Sequence, residues 1–100
     1  MSKYDVLKNK LSDILIYTEY MIKNLKFQSE ISRKYLMKFK DFVEYRIKEV
    51  ENRAIPNSRG IKTLGLIKSI SDYSDICKDN YLWNLLCEAE NYYKYKCINF

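Results

Sequence analysis

Residues that interrupt secondary structure are concentrated at one place in this chain. Its 100 residues include 2 Gly and 1 Pro, and the segment 54–60, Ala-Ile-Pro-Asn-Ser-Arg-Gly, holds the Pro and one of the Gly. A β-sandwich or a barrel needs many more turn residues than this. On either side of the segment, apolar residues recur at the spacing of one helix face. The sequence therefore predicts an all-α fold.

The apolar periodicity also predicts where the helices lie. They are expected to form a single domain over residues 1–100, with the segment 54–60 as the linker between two pairs. Because the first two helices are joined by a short connection, they are expected to form a long antiparallel hairpin. A shorter second hairpin, whose last helix opens at Asp79, is expected to pack against it as in a helix bundle. The predicted helices span residues 3–25, 29–53, 61–77 and 79–96.

The first predicted helix carries apolar residues on two faces. One face is expected to enter the core, and a weaker stripe lies on the opposite side: Val6, Ile16, Tyr17, Tyr20 and Phe27. Either this helix is central and contacts neighbours on two sides, or the stripe is a surface for a partner or for self-association. Trp83, at the edge of the apolar face of the fourth helix, is a candidate for the same surface.

Arg46 lies near the middle of the apolar face of the second predicted helix. A lone guanidinium there is costly unless it is paired or reaches water. One interpretation is that its aliphatic stem packs on the face while the charge extends to solvent. The other is that the cation is presented inside a cleft or across an interface.

Charge is unevenly distributed in a chain whose formal net charge is +5. The segment 23–40 holds one acidic residue, Glu30, and a basic patch of six residues: Lys23, Lys26, Arg33, Lys34, Lys38 and Lys40. This patch is a solvated face, a phosphate-binding surface or a surface for an acidic protein. Part of the Lys excess reflects codon bias, because Lys, Asn, Ile and Tyr are abundant and have A/T-rich codons. Such a bias is typical of a low-GC bacterium, or of a phage or plasmid in one.

The linker is the best local candidate for a binding site. Asn57 or Ser58 is expected to cap the third helix. The backbone N–H groups at that helix start, with Arg59 and Lys62 beside them, would form a cradle for an anion or a nucleotide. The alternative is a purely structural connection.

The same segment resembles a known family. Pro-x-Ser-Arg at positions 56–59 leads into a small, apolar-rich stretch, Thr-Leu-Gly-Leu-Ile-Lys, at positions 63–68. With a shift of one residue, this is similar to the second half of the phage cyclic-oligonucleotide sponges that block CBASS immunity. The long first hairpin and the acidic fourth helix depart from that family's pattern. The resemblance implies an oligomer that sequesters a signalling nucleotide, with Arg59 as the position carried over.

Residue types that enzymes and metal sites commonly need are missing. His is absent, which removes the most common general base and metal ligand. Cys77, Cys87 and Cys97 form no C-x-x-C pair, so reduced, mostly buried thiols are expected and a metal site is not. No phosphate-binding loop or nucleophile motif occurs. The sequence predicts no catalytic residues, no enzyme activity and no cofactor.

These observations favour stoichiometric binding. We expect a small accessory or inhibitor protein of a phage or mobile element that acts on a host protein, for example a defence factor. Binding of a nucleotide or nucleic acid through the basic residues is the first alternative, and a helical protein of the bacteriocin-immunity type is the second. The N-terminal residues show no signal peptide and no apolar run is long enough to span a membrane. A cytoplasmic protein is therefore expected, in the host bacterium if a phage encodes it, with homo-oligomerisation left open.

Overall fold

A computed structural model describes residues 2–24, 30–70 and 78–100 of the chain. Within these ranges the secondary structure is helical, with no strand, and the all-α prediction is confirmed. The helices are α1 (Lys3–Asn24), α2 (Glu30–Glu51), α3 (Leu66–Ile70) and α4 (Asn80–Lys96). None of these described helices combines the length and the apolarity that crossing a membrane requires.

The helix α1 lies between two antiparallel neighbours. Its N-terminal part is joined to the end of α2 by an ion pair between Lys8 Nζ and Glu51 Oε2 at 3.7 Å. Its C-terminal half contacts the start of α4, where the Tyr17 hydroxyl donates a hydrogen bond to Asp79. Both α2 and α4 therefore run antiparallel to α1, and the molecule is elongated, at 42 × 21 × 18 Å. The predicted long hairpin is confirmed, and α3 packs on α4 beside it.

The core is made from the predicted apolar faces. Each large aliphatic side chain that leaves water stabilises the fold by about 1.5–3 kcal/mol. The one polar residue of α1 in this core, Thr18, is satisfied because its hydroxyl donates to the Ile14 carbonyl at 2.7 Å. The fully buried members of the core from α1, α2 and α4 are Leu7, Leu11, Ile14, Leu36, Val43, Leu82, Leu86 and Ala89.

The helix α2 ends two residues before its predicted end. The Ala54 N–H donates to the Glu49 carbonyl at 2.7 Å, and the Arg53 N–H donates to the Val50 carbonyl at 3.1 Å. These two bonds are the Schellman arrangement, in which the residue after the helix adopts a left-handed backbone. Arg53 takes that place with φ 54°, and its guanidinium lies 4.7 Å from the centroid of the Tyr4 ring. A cation over an exposed ring contributes about 0.5–1 kcal/mol.

The third helix was predicted to begin at residue 61, and this is wrong. The helix α3 begins at Leu66, because Gly65 adopts φ +79°, which is outside the helical region and favours glycine. Ile61 is 80% exposed instead of being part of a helix. The predicted continuation over residues 71–77, including Cys77, lies outside the described residues.

The linker is fixed to the C-terminal end of α4. Ser58 is fully buried; its N–H donates to the Cys97 carbonyl at 2.9 Å and its hydroxyl donates to the Lys94 carbonyl at 2.8 Å. The Tyr93 hydroxyl donates to the Pro56 carbonyl at 2.7 Å. These contacts fix the linker to α4, because leaving one of the buried groups without its hydrogen-bond partner costs about 1–3 kcal/mol.

Candidate functional site

An open groove lies where the C-terminal half of α1 meets the start of α4. It has a volume of about 500 Å³, and we call it the tyrosine groove after the rings that line it. Most of its apolar lining is exposed to solvent: Ile16 is 66% exposed, Tyr20 58% and Tyr81 59%. The lining residues are Asp13, Ile16, Tyr17, Tyr20 and Tyr81.

Helix geometry brings these side chains to one place. Asp13, Tyr17 and Tyr20 are four and three positions apart along α1, so they share one face of the helix. Tyr81 comes from the first turn of α4. That turn is held by Asp79, the N-cap of α4, whose Oδ1 accepts a hydrogen bond from the Leu82 N–H at 2.9 Å. The prediction that the last helix opens at Asp79 is therefore confirmed to within one residue.

Tyr17 is the fixed centre of the groove. Its hydroxyl donates to Asp79 Oδ2 at 2.7 Å, so Asp79 holds the start of α4 and the Tyr17 side chain at the same time. Burial, with the neighbouring Asp79 carboxylate, raises the pKa of Tyr17 to about 12. The phenol therefore keeps its proton at physiological pH, and this proton is committed to Asp79.

The other two rings contact Tyr17. The Tyr81 ring is tilted by 56° to the Tyr17 ring, with centroids 4.6 Å apart. The Tyr20 ring lies nearly parallel to it, at an angle of 23° and a distance of 5.9 Å. Packed rings of this kind lose little conformational freedom when a partner binds, because a tyrosine side chain has two rotatable angles.

The charge of the groove is opposite to that of the chain. Asp13 is the one charged residue among the described residues that line it, and the Tyr17 hydroxyl is bonded to the Asp79 carboxylate. No Lys or Arg belongs to the lining within the described residues. In a chain of net charge +5, the groove is a locally acidic, aromatic surface.

The structure brings together some of the predicted partner-surface residues and not others. Ile16, Tyr17 and Tyr20 meet in the groove, whereas Val6 and Trp83 are half-buried outside its lining. Phe27 lies outside the described residues. Sequence reasoning missed Asp13 and Tyr81, although two signals pointed to them: Asp13 precedes Tyr17 by one helical turn, and Tyr81 follows the predicted cap of α4.

Arg46 is paired within the fold. Its Nη1 contacts Glu49 Oε1 at 2.5 Å, its Nε donates to the Leu64 carbonyl at 3.1 Å, and its guanidinium lies 5.1 Å from the Phe42 ring centroid. Arg46 therefore fastens the segment before α3 to α2. The Arg46 charge is paired with the Glu49 carboxylate, and the Arg46 side chain is 23% exposed.

Glu90 of α4 occupies the start of α3. Its Oε1 accepts a hydrogen bond from the Leu64 N–H at 2.6 Å. Burial raises the pKa of Glu90, while hydrogen bonds from the backbone of Leu64, Ile67 and Leu66 act in the opposite direction. The prediction that Asn57 or Ser58 caps this helix is wrong, because the helix starts at Leu66 and a glutamate distant in sequence binds its first N–H groups.

The raised pKa of Glu90 has a consequence for stability. The folded chain holds this proton more tightly than the unfolded chain does, so the free energy of unfolding is expected to fall as the pH rises from the ordinary value of 4.5 through the raised pKa. Glu90→Gln does not titrate, so the wild-type value minus the variant value should decline over that window and be level above it. Denaturant unfolding at closely spaced pH values measures this difference, and a difference that rises with pH contradicts the prediction.

The anion cradle expected at the linker is not assembled at a helix start. The Asn57 side chain accepts a hydrogen bond from the Phe100 N–H at 3.0 Å, and the Ser58 hydroxyl donates a hydrogen bond to the Lys94 carbonyl. Arg59 and Lys62 are exposed on the tight turn that follows. Anion binding at Arg59 and Lys62 stays a prediction, and it rests on these two charged side chains without the N–H groups of a helix start.

Arg59 has a backbone conformation that disfavours a side chain. Its φ is 55°, and a left-handed backbone costs a residue with a Cβ roughly 1–2 kcal/mol. Arg59→Gly is expected to raise the free energy of unfolding by about 0.5–1 kcal/mol, because the relief is partly offset by the greater freedom of glycine in the unfolded chain. Chemical denaturation tests this, with Arg59→Ala as the control that keeps the Cβ. Equal stability of the two variants would show that no such strain is present.

The members of the basic patch are spread over the α1–α2 end of the molecule. Lys23 is exposed on α1, and Arg33, Lys34 and Lys38 are exposed on α2. Lys40 is half-buried, and its Nζ pairs with Glu44 Oε1 at 3.7 Å. Lys26 lies outside the described residues. The exposed cations are free to meet an acidic partner, and nothing in their arrangement selects one kind.

The described thiols and carboxylates do not gather into a metal centre. Cys97 is buried and Cys87 half-buried, and both are free thiols. Burial raises the pKa of the Cys97 thiol, which makes it less reactive. Over residues 2–24, 30–70 and 78–100 no group of three or more His, Cys, Asp or Glu is close enough to hold a metal ion.

Comparison with known proteins adds no relative. No protein-family model, no curated protein and no solved structure matches this chain. The resemblance to the cyclic-oligonucleotide sponges therefore rests on residues 56–68 alone.

Proposed function

We propose that this chain is a non-catalytic protein that binds a host protein stoichiometrically through the tyrosine groove. The observation that carries the proposal is the cluster of exposed apolar side chains around Tyr17. Three tyrosines and Ile16 form one continuous open surface, and the Tyr17–Asp79 hydrogen bond holds its centre in place. Contiguous apolar surface with a polar rim is typical of interaction sites, and tyrosine is enriched among the residues that dominate binding energy.

The composition supports the biological setting of this proposal. The abundance of residues with A/T-rich codons favours a phage or mobile element of a low-GC bacterium, and an accessory or inhibitor role in the cytoplasm of that host. The lack of His supports binding in place of catalysis, because the most common proton-transfer residue is unavailable. A host defence factor is one partner of this kind.

The groove can be tested with substitutions matched for residue type and exposure. Tyr20 is 58% exposed in the groove, and Tyr45 is 59% exposed on α2, outside it. We expect Tyr20→Ala to weaken binding of the captured host partner by about thirtyfold, the effect of a residue that contributes about 2 kcal/mol. Tyr45→Ala is expected to leave the affinity unchanged.

The measurement is quantitative capture by the immobilised chain, followed by titration of the isolated partner. Thermal unfolding of both variants checks that they are folded. If Tyr20→Ala and Tyr45→Ala bind equally well, the groove is not the binding surface and the proposal fails.

A second candidate is nucleic-acid binding by the basic patch. It is favoured by the exposure of Arg33, Lys34 and Lys38 along the first half of α2. Binding of this kind weakens steeply with salt, because each neutralised phosphate releases counterions. A gel shift at low salt that Lys34→Glu and Lys38→Glu abolish would support it, and the absence of any shift at low salt would exclude it.

A further inference from the structure

The geometry points to a specific ligand chemistry for the tyrosine groove: it receives an arginine side chain of the partner protein. This inference rests on the proposed function and adds the identity of the group that is recognised. The juxtaposition that carries it is three tyrosine rings and one carboxylate, that of Asp13, lining the same groove. No described cation competes for that carboxylate within the lining.

The rings offer the faces that a cation prefers. The face of an aromatic ring carries partial negative charge, and a guanidinium within about 6 Å of its centroid is attracted to it. Tyr17 and Tyr81 meet at 56° with centroids 4.6 Å apart, so they form a corner instead of a flat stack. Tyr20 lies beside Tyr17 at 5.9 Å and extends the aromatic surface along α1. A planar cation in this corner can contact more than one ring.

The polar groups of the groove are acceptors for such a cation. Asp13 supplies a carboxylate at the rim. The Tyr17 hydroxyl donates its proton to Asp79, which leaves the lone pairs of that oxygen as acceptors toward the groove. The same set of groups is unfavourable for a phosphate or a carboxylate ligand, because Asp13 and Asp79 repel a negative charge.

Arginine fits this arrangement better than lysine does. Its planar guanidinium is weakly hydrated, stacks on aromatic faces and donates in several directions. A lysine ammonium is a strongly hydrated point charge that loses more when it leaves water. An open groove of about 500 Å³ has room for one such side chain together with the backbone that carries it.

The net charge of the whole chain restricts the kind of partner surface that can approach the groove. The net charge of +5 repels a strongly basic surface as the two molecules approach, and under physiological conditions this repulsion acts over about 8 Å before salt screens it. The partner surface is therefore acidic or neutral overall and presents a single projecting arginine. Such a surface also suits the exposed lysines of α2.

The test uses a blocked tripeptide, acetyl-Gly-Arg-Gly-amide, and the full chain. Its binding is followed by the NMR signals of the tyrosine rings, with the peptide that has citrulline in place of arginine as the neutral control. We expect saturable shifts at Tyr17, Tyr20 and Tyr81 with the arginine peptide. The citrulline peptide should bind between about twofold and thirtyfold more weakly, the range that cation–π contacts span.

Two acidic positions give a matched pair of variants. Asp13→Asn removes the carboxylate of the groove, and Asp41→Asn removes an exposed carboxylate of α2. The arginine peptide should bind at least threefold more weakly to Asp13→Asn and unchanged to Asp41→Asn, an effect on the order of that expected for a partly exposed charge pair. Equal binding of the arginine and citrulline peptides, or a lower Kd for adenosine monophosphate than for the arginine peptide, overturns the inference.

Failure of this inference is distinguishable from failure of the proposed function. If Tyr20→Ala abolishes partner binding while Asp13→Asn and the arginine peptide have no effect, the groove binds a partner through a neutral apolar group and only the inference falls. If Tyr20→Ala has no effect on the partner, the proposed function itself falls. A concentration-dependent dimer that Tyr20→Ala disrupts would show that a second copy of this chain occupies the groove.

Discussion

Replacing Ile14 by alanine is expected to lower the free energy of unfolding by about 2–5 kcal/mol, whereas the same change at Ile16 should alter it by less than about 0.5 kcal/mol. The two isoleucines lie half a turn apart on α1, but Ile14 is 0% exposed and Ile16 is 66% exposed. Ile14→Ala leaves a cavity in the core on the helix that contacts both α2 and α4. Ile16→Ala removes surface that is in water in the free protein.

Denaturant unfolding of the two variants measures this contrast on one helix with one residue type. A domain of this size has a total stability of about 5–15 kcal/mol, so Ile14→Ala can remove a large part of it. If the Ile16 variant also loses more than about 2 kcal/mol, that side chain packs inside a self-associated form, and the groove is not free in solution. If Ile16→Ala is instead as stable as the wild type, the same protein can be used to measure what Ile16 contributes to partner binding.

Replacing Asp79 by alanine is expected to cost about 2–3 kcal/mol of unfolding free energy. The change removes the N-cap of α4, worth about 1 kcal/mol, and also the acceptor of the Tyr17 hydroxyl, a charge-assisted hydrogen bond worth about 1.5 kcal/mol or more. Both contacts are made by one carboxylate, at 2.9 Å to the Leu82 N–H and at 2.7 Å to Tyr17.

A double-mutant cycle separates the two contributions. Tyr17→Phe alone removes the hydroxyl and leaves the cap. Asp79→Asn keeps one acceptor oxygen, which can still cap the Leu82 N–H, but its amide nitrogen cannot accept the hydrogen bond from Tyr17. We expect Tyr17→Phe to cost little in a background that already carries Asp79→Ala, because the acceptor is gone. Additive losses would mean that Asp79 does not hold the Tyr17 hydroxyl in solution. Asp79→Ala should also weaken partner binding, since it frees the central ring of the groove.

Local patterns were sufficient for the long helices. The apolar spacing located α1, α2 and α4 to within a few residues, and the last helix was predicted to open at Asp79 because an acceptor side chain before an apolar run is a local signal. The start of α3 was missed because one glycine ends the linker and a second follows five residues later, and both Gly60 and Gly65 adopt positive φ. The irregular segment ends at Gly65, where Glu90 of α4 accepts a hydrogen bond from the Leu64 N–H. No local sequence pattern contains this contact between distant residues.

The residues that α1 contributes to the groove could be predicted from a local pattern, and the residue that α4 contributes could not. Ile16, Tyr17 and Tyr20 stand on one face of one helix, so their stripe is visible in the sequence. Tyr81 joins them through the alignment of α4 along α1, which depends on core packing and on the Tyr17–Asp79 hydrogen bond. Arg46 shows a related limit: its position in an apolar face left two interpretations open, and its contact with Glu49, one helical turn away, is visible only in the structure.

The contact between the two ends of the chain bears on how the protein can be handled. The Phe100 ring stacks on Tyr4 at 4.2 Å, and the Lys3 ammonium donates to the Asn99 carbonyl at 2.7 Å. Tyr4 and Tyr17 are separated along α1 by thirteen helical steps, or about 20 Å. A dye, bead or carrier domain coupled through a flexible spacer at either terminus would therefore stand well away from the aromatic corner. Immobilised in this way, the molecule would point its binding face toward the medium.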